Sequence, residues 1–177
     1  MHNQYKCDAI RELRDQQVRF APRDKKLEQL DRAEALLRDI DATKTYNYEY
    51  VCYRITTFRP EKSSMMPIKG SDLRHDIHAF VEDLSESANI RADEIPQPVH
   101  TVDELSKMFN VSTKTISRWR QQGLVSRKFI FDGGRKRVGF LHSSVDSFAK
   151  RNKDKVCLLY TSPSPRDRTR SRMPSSA

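Results

Sequence analysis

The side chains best equipped for chemistry lie between Thr113 and Arg137, and the chemistry they suit is charge pairing and hydrogen bonding with a polyanion. Lys114, Ser117, Arg118 and Gln121 recur at i, i+3, i+4 and i+7, the spacing that puts side chains on one helix face. Thr113 and Thr115 fall in what would be the first turn of that helix. From a helix lying in a DNA major groove such groups reach phosphate oxygens and base edges, the first turn being nearest the bases. Arg135, Lys136 and Arg137 form a second set. Three consecutive cations repel one another unless a polyanion neutralises them.

Other chemistry-bearing residues are weaker candidates. Ser147-Phe148-Ala149-Lys150 has the S-x-x-K spacing of a serine acylase but lacks any partner motif, and the chain is read as a non-enzyme without a small-molecule substrate. His75 and His78 are an i, i+3 pair with too few companions for a metal site. Cys7, Cys52 and Cys157 are too far apart for a CxxC-type clip, and their odd number argues against a disulfide framework. No metal and no cofactor are expected.

The elements that must position the first set can be read from caps and periodicity. Thr101 followed by Glu104 is a capping box, and Leu105, Met108 and Phe109 then form one apolar stripe. Asn110 suits a tight turn, Ser112 caps the next helix, and Ile116 and Trp119 face inward. After Gly123 comes a β-rich run, 127–132, with Phe129 and Phe131 on one face. Gly133-Gly134 then supplies a two-residue hairpin turn, and 135–140 returns. A closing helix capped by Ser143 or Ser144 buries Val145 and Phe148.

The charge follows this division. Residues 101–156 carry 13 Lys and Arg against 5 Asp and Glu, whereas residues 1–100 carry 16 against 18. A basic field confined to one segment is the footprint of nucleic-acid contact. A helix-turn-helix turned to protein binding remains the competing reading of the same segment.

The order of helix, turn, helix ending in Trp119-Arg120-x-x-Gly123, basic hairpin and short helix resembles the winged helix-turn-helix of the MerR and excisionase class. The wording TVDELSKMFNVSTKTISRWRQQGLVSRKFIFDGGRKRVGFLHSSV, with upstream AIRELRDQQVRFAPRDKKLEQL, RITTFRP and DLRHDIHAFVEDLS, is similar to the N-terminal part of a group of long bacterial sigma-70-type RNA polymerase sigma factors. That resemblance implies double-stranded DNA and the RNA polymerase core as partners, transcription initiation as the role and the cytoplasm as the location. The promoter-reading regions of that family would lie beyond Val156. A stand-alone MerR- or excisionase-like regulator would use the same module and is the alternative.

In the first half, residues 5–20 and 22–41 are predicted as helices, the second with Leu27, Leu30, Ala33, Leu37 and Ile40 as an apolar face for a core or for a dimer seam. Tyr46, Tyr48, Tyr50 and Tyr53 fit either a strand or a helix and serve packing better than base stacking in this slightly acidic half. Residues 60–69 read as a linker. Ser71-Asp72 then caps a helix with Leu73, Ile77, Phe80, Val81 and Leu84 inward. No apolar run approaches the roughly 18 residues of a membrane span.

From Cys157 the sequence loses apolar periodicity. CLLYTSPSPRD and SRMPSSA, back-translated, read as the two ends of a transposase adapter used for sequencing libraries, so the native chain is expected to stop near Val156. The predicted fold is mainly α: a helical domain over 1–95, a linker over 96–100 and a winged helix-turn-helix with one β-hairpin over 101–156, with 157–177 not native.

Overall fold

A computed structural model describes residues 4–62 and 66–156. The fold is mainly helical with two small sheets, and the described residues form two compact units: 4–96 together with Val125–Gly139, and 97–124 together with 140–156. The residues expected to be adapter-derived, 157–177, lie outside the described residues.

The first unit is built on four helices: α1 (Asp8–Phe20), α2 (Arg23–Asp39), α3 (Tyr48–Thr56) and α4 (Gly70–Ala88). Pro22 separates α1 from α2 by holding Ala21 in an extended conformation, which the residue before a proline favours. Leu30, Ala33, Leu36, Leu37 and Ile40 are buried where α2 packs against α3 and α4, so the apolar face of α2 is core. Phe20, the last residue of α1, is 80% exposed.

The tyrosine-rich segment resolves into both structures the spacing allowed. Thr45–Tyr46 is a short strand, β1, pairing antiparallel with β2 (Ile68–Lys69), and α3 begins two residues later with Asn47 Oδ1 accepting from Tyr50 N at 2.8 Å. At Gly70 a Cβ would lie 2.0 Å from the Asp41 carbonyl oxygen, so only glycine lets α4 start there. Lys69, with no side-chain cap, precedes the helix, and the caps expected of Ser71 and Asp72 are displaced into its first turn. Leu73, Ile77, Phe80, Val81 and Leu84 are buried as their spacing predicts, each contributing roughly 1.5–3 kcal/mol for full burial of a large apolar side chain. Asp76, on the same helix, is fully buried and accepts from Lys6 N at 2.9 Å and Cys7 N at 2.8 Å, which ties down the segment leading into α1.

The hairpin also belongs to this unit. Its strands are β4 (Arg127–Ile130) and β5 (Lys136–Leu141), paired antiparallel with Phe129 opposite Arg137. The Lys128 amide donates to Ser85 Oγ at 2.8 Å, the Ile130 amide to the Ile90 carbonyl at 2.7 Å, and Ser126 Oγ to Glu82 Oε1 at 2.6 Å. Arg127 is buried, with its guanidinium on Glu34 and, at 2.8 Å, on Asp31 of α2. Burial alone would lower the Arg127 pKa, but attraction to Glu34 and the bonds to both carboxylates leave it raised. The hairpin, expected to form part of a 101–156 domain, is thus tied to helices of the first half. The turn differs as well: Phe131 N donates to Arg135 O, so three residues, Asp132-Gly133-Gly134, close the hairpin where two were expected.

The second unit holds β3 (Val99–Thr101), the end of β5, and helices α5 (Val102–Phe109), α6 (Thr113–Gln122) and α7 (His142–Arg151). Its core is Leu105, Phe109, Ile116, Trp119, Leu124, Phe140, Leu141, Val145 and Phe148. Trp119 sits edge-on to Phe109 with ring centroids 5.3 Å apart and tilted against Phe148 at 5.7 Å. Leu141 precedes α7, and neither Ser143 nor Ser144 caps it; the Ser143 amide instead donates to Gln97 Oε1 at 2.9 Å.

Candidate nucleic-acid interface

The two helices α5 and α6 are joined by three residues, Asn110-Val111-Ser112, whose geometry follows from local hydrogen bonding. The capping box forms as the sequence predicts: Thr101 Oγ1 accepts from Glu104 N at 3.2 Å and Glu104 Oε2 accepts from Thr101 N at 2.7 Å. Asn110 takes the left-handed conformation at φ 53°, and Val111 N donates to Ser106 O at 3.0 Å, the i to i−5 bond of a Schellman turn. Ser106 Oγ in turn donates to Val111 O at 2.6 Å, so the chain leaves α5 in one fixed direction. Ser112 Oγ accepts from Thr115 N at 3.2 Å and caps α6.

On α6 the buried side is Ile116 and Trp119, and the opposite side carries the predicted set. Thr113, Lys114, Ser117, Arg118 and Gln121 are exposed; Thr115 is half-buried. Among the described residues neither Lys114 nor Arg118 forms an ion pair, so both charges face solvent uncompensated. The hydroxyls are less available. Thr115 Oγ1 lies 3.1 Å from Ser112 Oγ within the cap, and Ser117 Oγ donates back to Thr113 O at 3.2 Å. The set therefore divides into Lys114, Arg118 and Gln121 as free long side chains, Thr113 as an exposed hydroxyl, and Thr115 and Ser117 as parts of the helix's own bonding.

The second set sits on the first unit. Arg135, Lys136 and Arg137 are exposed along the hairpin, and the Lys136 ammonium donates to the Glu86 carbonyl at 3.1 Å. Gly133 and Gly134 have φ of 86° and 75°, which lets the turn form without strain at the base of this cationic run.

The remaining candidates have partners of other kinds. Ser147 Oγ donates to Ser143 O at 2.8 Å while Lys150 pairs with Asp146 at 2.7 Å. His75 Nδ1 lies 3.1 Å from Asp76 Oδ1, and no group of three or more metal-ligating side chains occurs among the described residues. Among the described residues no helix is long and apolar enough to cross a membrane.

Sequence reasoning missed Arg127, although a signal was present. The period of two that puts Phe129 and Phe131 on one face of the strand puts Arg127 there too, and an arginine on an apolar face must find carboxylates. It also missed His100 and His142, whose rings meet edge-on in the second unit with Nε2 and Nδ1 3.1 Å apart. Burial, then the neighbouring His142, lowers the His100 pKa below its ordinary value. No protein-family model, curated protein or solved structure matches this chain.

Proposed function

We propose that the second unit is a DNA-binding helix-turn-helix in which α6 enters the major groove, with Lys114, Arg118 and Gln121 making the contacts that discriminate sequence. The observation that carries this reading is the outer face of α6. Two cations without ion pairs and an amide at helical spacing stand opposite a core-facing Trp119, on a helix whose start is fixed by the Schellman turn and the Ser112 cap. An uncompensated basic face on a rigid helix lowers its own electrostatic cost by replacing the counterions of a polyanion. Thr113, Thr115 and Ser117 serve phosphate contact or helix geometry, not base readout. The hairpin, held by the first unit, is a second basic surface that acts on phosphates without regard to sequence, the role of a wing.

For the wider role we propose, on the resemblance of the sequence wording alone, the front part of a bacterial sigma factor, cytoplasmic and partnered with the RNA polymerase core, in which the module adds DNA contact to promoter recognition. A MerR- or excisionase-like regulator is the alternative, and the reading frame downstream of residue 156 in an uninterrupted genomic copy separates the two.

The experiment is a salt titration of duplex binding by the chain and its variants. Lys114→Ala and Arg118→Ala are expected to weaken binding about tenfold each and to change the preferred sequence in a selection from random duplexes. Arg135→Ala and Arg137→Ala are expected to weaken all duplexes alike and to reduce the slope of log K against log salt by about 1 each. Unchanged affinity in Lys114→Ala and Arg118→Ala at low salt refutes the assignment.

A further inference from the structure

His100 and His142 are 42 residues apart in the chain, beyond the reach of any spacing motif, yet Nε2 of the first lies 3.1 Å from Nδ1 of the second. The backbone holds them there. The His142 amide donates to the Pro98 carbonyl at 3.0 Å and the Ser143 amide to Gln97 Oε1 at 2.9 Å, which fixes the start of α7 against the strand that carries His100. His142 is exposed and His100 half-buried, so the contact between the rings lies at the surface.

Two neutral imidazoles this close can use their facing nitrogens in two ways. With a proton on one facing nitrogen, that N–H donates to the other ring. With both protons on the outer nitrogens, Nδ1 of His100 and Nε2 of His142, two lone pairs face inward and the pair is a chelate. The separation suits the second use. Two nitrogens 3.1 Å apart, each about 2.0–2.1 Å from a metal ion, subtend an angle of about 100° at that ion, between the square-planar and tetrahedral values. A modest turn of each ring about χ2, a soft torsion in histidine, aims both lone pairs at the common point. Glu104, whose carboxylate accepts from the Thr101 amide, adds negative charge beside His100 and favours a cation there.

We propose that His100 and His142 form a surface site for a divalent transition-metal ion of the class that prefers imidazole: copper(II), nickel(II) or zinc(II). Water fills the remaining positions, since no group of three or more metal-ligating side chains occurs among the described residues. The ion is therefore exchangeable. When bound it ties β3 to the start of α7 and stabilises the second unit. The assignment does not rest on the DNA reading.

The test is a titration of the full chain with zinc(II) chloride at about pH 7.5, above the ordinary histidine pKa, with magnesium chloride as the oxygen-seeking control. Ring-nitrogen NMR and thermal unfolding are the readouts. Saturable shifts are expected at His100 Nε2 and His142 Nδ1, with none from magnesium, and Tm should rise with the logarithm of zinc concentration. His100→Gln and His142→Gln are each expected to weaken zinc about tenfold or more and to abolish the rise in Tm, because even an outer-shell change costs a metal site about tenfold. Shifts confined to His75 and His78, equal effects of magnesium, or undiminished zinc binding in His142→Gln would each overturn the proposal. The ring-nitrogen shifts are read in the unsubstituted chain, so they decide the matter even where a variant folds poorly.

Discussion

Replacing Arg127 tests the claim that the hairpin belongs to the helical unit. Its side chain is 6% exposed and contacts two carboxylates of different standing: Glu34, 9% exposed, and Asp31, 76% exposed. In Arg127→Met the Asp31 carboxylate rehydrates at little cost, but the buried Glu34 loses its ion pair with Arg127, and breaking a buried pair from one side costs about 3–5 kcal/mol. With a urea slope of about 2 kcal/mol per molar, a loss of 4 kcal/mol moves the midpoint down by about 2 M. Asp31→Asn, which removes only the solvated half of the fork, should cost less than about 1 kcal/mol. Arg127→Met with Glu34→Met should recover most of the loss, because a buried ion pair exchanged for apolar groups of similar volume is close to neutral. The assay is urea unfolding by far-UV circular dichroism with amide exchange at Lys128 and Ile130, whose N–H groups are held by Ser85 Oγ and the Ile90 carbonyl. A single-variant loss below about 1 kcal/mol, with exchange at those amides unchanged, would refute the anchoring.

Trp119→Ala removes the ring that meets Phe109 and Phe148 and should destabilise the second unit by about 3–5 kcal/mol, read by thermal unfolding. Thr101→Ala removes the Oγ1 that accepts from the Glu104 amide, leaving only the bond from the residue 101 amide to Glu104 Oε2, and should cost about 1 kcal/mol; Thr101→Ser should restore it. Because the folded His100 pKa lies below the ordinary value of 6.5, the unfolded chain binds its proton more tightly. Stability of the second unit should therefore be full above pH 6.5 and fall as the pH drops below it. His100→Gln should flatten that fall in a pH series of melting curves, and an identical series would contradict the assignment to His100.

What was legible in the sequence is what local physics decides. The capping box at Thr101 and Glu104, the cap at Ser112, the left-handed Asn110 and the inward Trp119 depend on residues within one turn of each other, and each stands where its spacing put it. The face of α4 was equally plain, since five large apolar residues at helical spacing leave one side to bury. Caps without a partner in the right place were misread: Ser71, Ser143 and Ser144 are competent capping residues, yet the helices start one or two residues earlier on backbone held by Lys44 O and Pro98 O. The sequence expresses competence to cap; only the tertiary structure decides whether the competence is used.

The hairpin shows the same limit at longer range, and with more consequence for function. Read locally, Arg127, Lys128, Arg135, Lys136 and Arg137 are five cations on one hairpin, all of one kind. In the structure they serve three purposes. Arg127 is buried on Glu34, and Lys128 and Lys136 reach toward Glu86, the former within 4.0 Å of its carboxylate and the latter to its carbonyl. Arg135 and Arg137 remain exposed without an ion pair among the described residues. The carboxylates that make this division come from α2 and α4, some 40 to 100 residues away in the chain, as the separations of 44 and 93 residues in the Ser126 to Glu82 and Arg127 to Glu34 bonds show. Charge counted along the sequence overstates what a duplex could meet on this hairpin. The acidic residues that give the first half its negative balance include those that neutralise the hairpin, so the partition of charge at residue 100 is partly undone by folding. On α6 no such subtraction occurs at Lys114 and Arg118, and for that reason the DNA assignment rests on that helix.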